Sequence, residues 1–196
     1  AINEGLIRLY TRFILSEKDV VISLRDHITS YRLNSLYSES LYPQDGVEIP
    51  YILDLPGEVF SNDVIKVLAV YNHDGCELPL NNSTNVKSVF TPRFDVVQVP
   101  EPKTGELMNV VYQAKHILLT VADPLEEITL PDTLYGALEA YVAHLLFADI
   151  NSDDAKIRSD KQLAKYEQIC GDVILTDTIS LTNIQSNIKF QNRGWI

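Results

Sequence analysis

Apolar residues near the start of the chain fall at Ile2, Leu6, Leu9, Tyr10, Phe13 and Ile14. Steps of three and four mark one face of an amphipathic helix over residues 2–15. No Ser, Thr, Asp or Asn precedes Ile2 as a cap, so the helix starts abruptly and the reading favours further residues upstream. At Val20 the period changes to two: Val20, Ile22 and Leu24 alternate with Val21, Ser23 and Arg25, a strand with one buried face. Asp26-His27-Ile28 reads as a turn and Thr29–Leu33 as its return strand. A polar loop from Ser35 to Gly46 follows, broken by Pro43 and Asp45-Gly46, and Ile49–Leu53 is short and extended.

Val64–Tyr71 is a strong strand pattern, closed by a turn at Asn72-His73-Asp74-Gly75, with Cys76–Leu80 as its partner strand. Asn81–Asn85 is a loop, and two more strands are expected at Val96–Val99 and Asn109–Ala114. Between about residues 20 and 120 the turn signals separate six or seven short strands, the pattern of a small antiparallel sandwich or barrel.

Helical spacing returns after Leu130-Pro131-Asp132. Leu134, Leu138, Tyr141, Val142, Leu145 and Leu146 share a face, with Asp132 expected as N-cap. Asn151 or Ser152 caps a further helix, whose stripe is Leu163, Tyr166, Ile169, Cys170 and Val173. The expected fold class is α+β: an antiparallel helical bundle (1–18 and 131–176), an inserted antiparallel β-sandwich or barrel module (19–130) and an extended C-terminal tail (177–196).

Charge narrows the function classes. With 27 acidic against 16 basic residues the net charge is −11, and the basic residues are spread singly. The densest group, Lys156, Arg158, Lys161 and Lys165, is interleaved with Asp153, Asp154, Asp160 and Glu167. Direct nucleic-acid binding needs a basic stripe, so gripping DNA is not expected, whereas an acidic wall that DNA slides past is compatible. Cys76 and Cys170 are too few for a disulfide framework or a zinc site and read as small buried hydrophobes. No apolar stretch approaches the roughly 20 residues of a membrane helix, so no membrane partner is expected.

Candidate chemistry is sparse. His27 and His73 fall at turn tips, His116 ends a strand beside Lys115, and His144 lies three residues after Tyr141 on the long helix. None has a second His or Cys at ligand spacing, so neither a metal nor a cofactor is expected. There is no nucleophile elbow, Walker loop or dinucleotide fingerprint. The adjacent pairs Glu126-Glu127 and Asp153-Asp154 diverge on any regular element, and the second pair suits the positive end of a helix dipole. Catalytic residues are therefore expected to be none. The tail, polar and Asn-rich, holds the sole tryptophan, Trp195. An aromatic at the end of such a segment suits an interface anchor in a neighbouring protein, the alternative being that it docks on the subunit's own core.

A series of landmarks carries a resemblance. It begins at Asn3-Glu4-Gly5-Leu6 with Leu9-Tyr10-Thr11-Arg12-Phe13, then Thr29-Ser30-Tyr31-Arg32-Leu33, Asp63-Val64-Ile65-Lys66-Val67 and the hairpin Asp74–Asn81. Ser88-Val89-Phe90-Thr91-Pro92, Leu130-Pro131-Asp132, Lys165-Tyr166-Glu167 and Asn192-Arg193-Gly194-Trp195-Ile196 complete it. In this order, over nearly the whole chain, the series resembles the head-to-tail adaptors (tail tubular proteins) of podoviruses, bacteriophages with short tails.

The resemblance implies a structural virion subunit, not an enzyme, with a further helix upstream of Ala1. It implies a twelve-subunit ring beneath the portal protein, assembled in the host cytoplasm, extending the DNA channel and giving tail nozzle and fibre proteins their platform. Double-stranded DNA would pass through the lumen without specific binding. Phe190, Arg193, Gly194, Trp195 and Ile196 would form the portal interface. Two other readings compete: another tail or head-completion component, separable by oligomer symmetry, and a carbohydrate-acting module, disfavoured because neither an aromatic platform nor a placed carboxylate pair is found.

Overall fold

The structure, a computed structural model, describes residues 1–41, 50–54, 59–120 and 127–179. They form three helices and two antiparallel sheets. In chain order these are α1 (Ile2–Arg12), β1 (Glu17–Ser23), β2 (Ser30–Arg32), β3 (Ile52–Leu53), β4 (Val64–Tyr71), β5 (Phe90–Arg93), β6 (Val96–Gln98), β7 (Leu107–Ala114), α2 (Asp132–Ala148) and α3 (Asp153–Thr176). The chain divides into two compact units, one of Ala1–Gly5 with the residues from Thr129 on, the other of Leu6–Ile128.

In the second unit one sheet has the order β3-β1-β7-β4 and the other β2-β6-β5. The period-two pattern from Val20 on, at the end of β1, has the expected outcome: Val20, Ile22 and Leu24 are buried, and the strand pairs along its length with β7, Val20 opposite Val110. Val20, Ile22, Met108 and Val110 from one sheet enter the same buried cluster as Tyr31 and Val97 from the other. Tyrosines supply polar ties within that cluster. The Tyr51 hydroxyl accepts from Arg32 N at 2.9 Å and donates to Arg32 O at 2.9 Å, reaching from the start of β3 to β2 in the other sheet. Tyr31 does the same for Arg25, and its ring packs edge-on against Tyr51.

Several expectations in this unit need correction. Thr29–Leu33 does not return alongside β1. Only Arg25 and Ile28 bridge across the turn, and β2 pairs with β6 in the other sheet. The buried Tyr31 turns its side of β2 into the shared core, which carries the strand away from β1. Cys76–Leu80 is not a strand but a return held at single bridges, Tyr71 to Glu77 and Leu80 to Val89. Cys76 is exposed rather than buried, because the Asn72 side chain draws Cys76 N to itself at 2.8 Å and curls the turn outward. β5 was hidden by Pro92, a residue that argues against a strand except at an edge, where it lies. Asn81 takes a positive φ of 54°, and its amide exchanges hydrogen bonds with Thr91 to pin this corner to β5.

In the first unit α2 and α3 form an antiparallel hairpin, as the pairings Gly136–Ile169, Tyr141–Tyr166 and His144–Ser159 step in opposite directions. Ser152 caps α3 as expected, accepting from Ala155 N at 3.2 Å. Asp132 does not cap α2: the N-cap is Pro131, without a side-chain bond, and Asp132 is the first helical residue. Of the expected α2 stripe, Leu134, Leu138 and Tyr141 are buried, but Leu146 is 58% exposed. The buried face drifts instead to Ala137 and Ala140. On α3 Tyr166, Cys170 and Val173 are buried. Gly5 in the first turn of α1 meets α2 so closely that a Cβ would lie 2.7 Å from Leu138 Cδ1, and Tyr141 donates to Glu4 Oε1 at 3.2 Å.

Candidate functional site

A concavity lies in the second unit, at the end of the sheets where β1 stops and β7 begins. Leu24, Leu78, Val89, Val99 and Met108 line it, and the cleft measures about 390 Å³. It forms because two connections rise past the sheet ends: the 81–89 loop and the Pro100–Glu106 turn, whose Gly105 takes φ +90°. The buried Ser88 donates to Pro79 O at 3.0 Å and holds the first loop in place. Val86, 84% exposed, and Leu107 stand at its apolar mouth. The rim is mixed in sign: His73, Lys87 and Lys103 against Glu101 and Glu106, with Lys103 and Glu106 paired at 3.7 Å.

This arrangement can bind an apolar segment, and among the described residues it brings together no reacting constellation. His73 faces Asp74 at 3.3 Å on the exposed turn, and the Ser88 hydroxyl is committed to backbone. A second polar cluster, around Asp54, is structural. Its carboxylate accepts from Ser38 Oγ, from Ser40 N at 2.9 Å and from Phe60 N at 3.0 Å. Burial opposes ionisation there, but these hydrogen bonds outweigh it and hold the Asp54 carboxyl at about 2, below its ordinary 3.8.

The sequence-predicted residues are not brought together. Phe190, Arg193, Gly194, Trp195 and Ile196 lie outside the described residues, as does Glu126. Asp153 and Asp154 occupy the first turn of α3. His27 and His73 are exposed at turns, and His116 follows β7, its ring edge-on to Tyr10 at 5.2 Å. His144 has a partner the sequence did not suggest, since fifteen residues separate them: Ser159 Oγ lies 2.8 Å from its Nδ1 and donates to His144 O at 3.1 Å. Among the described residues no carboxylate bonds His144, so the pair lacks the third group that orients a catalytic base, and it joins two helices. Among the described residues no group of His, Cys, Asp and Glu can hold a metal, and no helix is long and apolar enough to cross a membrane. The cleft itself went unread in the sequence because its walls come from stretches far apart in the chain: Leu24, 72–78, 86–89 and 99–108.

No family model matches the chain, and no curated protein matches it.

Proposed function

We propose that this chain is the head-to-tail adaptor subunit of a short-tailed bacteriophage, a structural protein that forms a ring beneath the portal. The observation that carries the reading is the ordered series of landmarks from Asn3 to Ile196. Many of them occupy positions where the fold, not a reaction, demands a particular residue. Gly5 allows a close helix approach. Asp63 bonds Lys18 at 2.9 Å and Tyr112 Oη at 3.0 Å. Gly75 and Asn81 take positive φ, Ser88 is fully buried, and so is Tyr166. Residues specified this way suit a protein whose product is a surface.

In this proposal residues 1–18 and 131–176 make a helical bundle, and 19–130 is a β-sandwich or barrel module inserted in it. Two unlike side surfaces per subunit are what a head-to-tail ring requires. Phe190, Trp195 and Ile196 are the apolar anchors of the portal contact, with Arg193 as the polar one and Gly194 allowing close approach. The net charge of −11, facing the lumen, repels phosphate and lets the genome pass.

The test is to mix the purified chain with its cognate portal protein and measure mass by light scattering and symmetry by particle imaging. A twelve-subunit collar on the portal is expected, and a chain lacking Gln191–Ile196 should remain folded yet fail to dock. A monomer that ignores the portal under all conditions would overturn the proposal.

A further inference from the structure

We propose that Phe94 of one copy inserts into the apolar cleft of a second copy, a knob-and-socket contact that joins copies head to tail. Phe94 and Asp95 form the two-residue turn between β5 and β6, with Arg93 opposite Val96 at its base. Such turns ordinarily carry Asn, Asp or Gly, which suit the tight corner. Here a phenylalanine stands at the tip and is 55% exposed. A single exposed apolar residue needs no explanation by itself; what singles out Phe94 is a socket that fits it. The floor of the cleft, Leu24, Val89, Val99 and Met108, is buried, while Val86 and Leu107 present apolar surface at the mouth. Its volume of about 390 Å³ exceeds the roughly 150 Å³ that admits a benzene ring. An aromatic anchor in such a pocket is the usual centre of a protein interface.

Charge fits the same contact. Asp95 takes the Nε and Nη2 edge of Arg93, at 3.1 and 3.2 Å, so the guanidinium keeps its Nη1 donors for a further acceptor. Glu101 is exposed on the rim of the cleft, and an arginine carried in beside Phe94 meets that carboxylate. Topology sets knob and socket at opposite ends of one hairpin. β5 starts at Phe90, next to the cleft residue Val89, and ends at Arg93; β6 starts at Val96 and ends at Gln98, next to the cleft residue Val99. At about 3.3 Å per residue the hairpin separates the two by up to about 13 Å. A knob at one end and its socket at the other make the contact heterologous, so each copy that binds leaves one knob and one socket for the next. A closed ring needs a contact of this type. The choice of a second copy as partner rests on the ring proposed above; the exposed Phe94 and the cleft do not.

The experiment uses the full chain without portal, in sedimentation across a concentration series. A knob variant, Phe94→Ser, and a socket variant, Val86→Lys with Glu101→Lys, change only exposed side chains. Thermal melting close to the parent's reports that each is folded. The parent should associate as concentration rises. Each variant alone should associate about thirtyfold more weakly or worse, the loss expected when an aromatic anchor or its pocket is removed. An equimolar mixture of the two variants should form a one-to-one dimer and nothing larger, because one intact knob then meets one intact socket. A folded mixture that stays monomeric would overturn the proposal. So would a parent that is monomeric throughout, or either variant associating as the parent does. Portal docking is read separately. A collar that forms equally well with Phe94→Ser sinks this contact and leaves the adaptor reading standing, whereas complementation without any collar does the reverse.

Discussion

Asp54 shows how one side chain organises a stretch with little regular structure. Its two oxygens serve Ser38, Ser40 and Phe60, joining the 38–41 turn to the residues after β3. These bonds are stronger to the carboxylate than to the protonated acid, which is why Asp54 sits at about 2 instead of 3.8 despite its burial. The sign follows from linkage. The folded state holds this proton less tightly than the unfolded chain, so the stabilisation is complete above about 4 and disappears as pH falls through about 2. Asp54→Asn should therefore melt below the parent at pH 6, and the gap between the two should close as pH drops from 4 to 2. Melting curves at four or five pH values would show it. A gap that stays constant across that range would mean the charge of Asp54 contributes nothing and only its shape matters.

Among the elements, α1 depends on a residue far away in sequence. A helix leaves its last carbonyls without internal partners, and α1 ends with no glycine to turn them back. Gln113 on β7, 1% exposed, supplies the missing donor: Nε2 bonds Phe13 O at 2.9 Å and Tyr10 O. Gln113→Leu should cost about 1–3 kcal/mol, since it leaves buried carbonyls unmet in a site that cannot admit solvent freely. Urea unfolding measures this; a loss under about 0.5 kcal/mol would show that the bonds add nothing net. Such long-range caps explain what the sequence could reveal. The helices were legible because their apolar residues recur at steps of three and four, and β1, β4 and β7 because each carries a run of β-branched residues between turn signals. β2's partner and β5 were not, because three or four residues and a proline carry too little pattern to say which sheet they join. The cleft was invisible for the same reason: Leu24, Val89 and Met108 meet only after the sheets form. Cys76 misled because composition says cysteines are buried, while the local Asn72 turn decides otherwise.

For the molecule as a whole, charge is the property that bears most directly on a role around DNA. Affinity for duplex DNA comes chiefly from releasing counterions when lysines and arginines neutralise phosphates. Here acidic residues outnumber basic ones by 27 to 16, and several of the described cations are engaged with nearby carboxylates: Lys18 with Asp63, Arg93 with Asp95, Lys103 with Glu106, Lys156 with Asp153. A protein built this way gains little by approaching a phosphate, and its field opposes the approach beyond the first contacts. The isolated chain should therefore bind duplex DNA at physiological salt more weakly than the roughly 10⁻⁴–10⁻⁶ M usual for non-specific binders. Its affinity should also change little between about 50 and 200 mM salt, where a protein making 6–10 phosphate contacts loses about 10³–10⁵. Fluorescence anisotropy with a labelled duplex gives both numbers. Tight binding with a steep salt slope would mean that the cations, Lys189 and Arg193 among them, gather on one face while the carboxylates gather on another. A lumen wall made from that cationic face would grip the genome, and the adaptor reading would then have to place the acidic face inward or be abandoned.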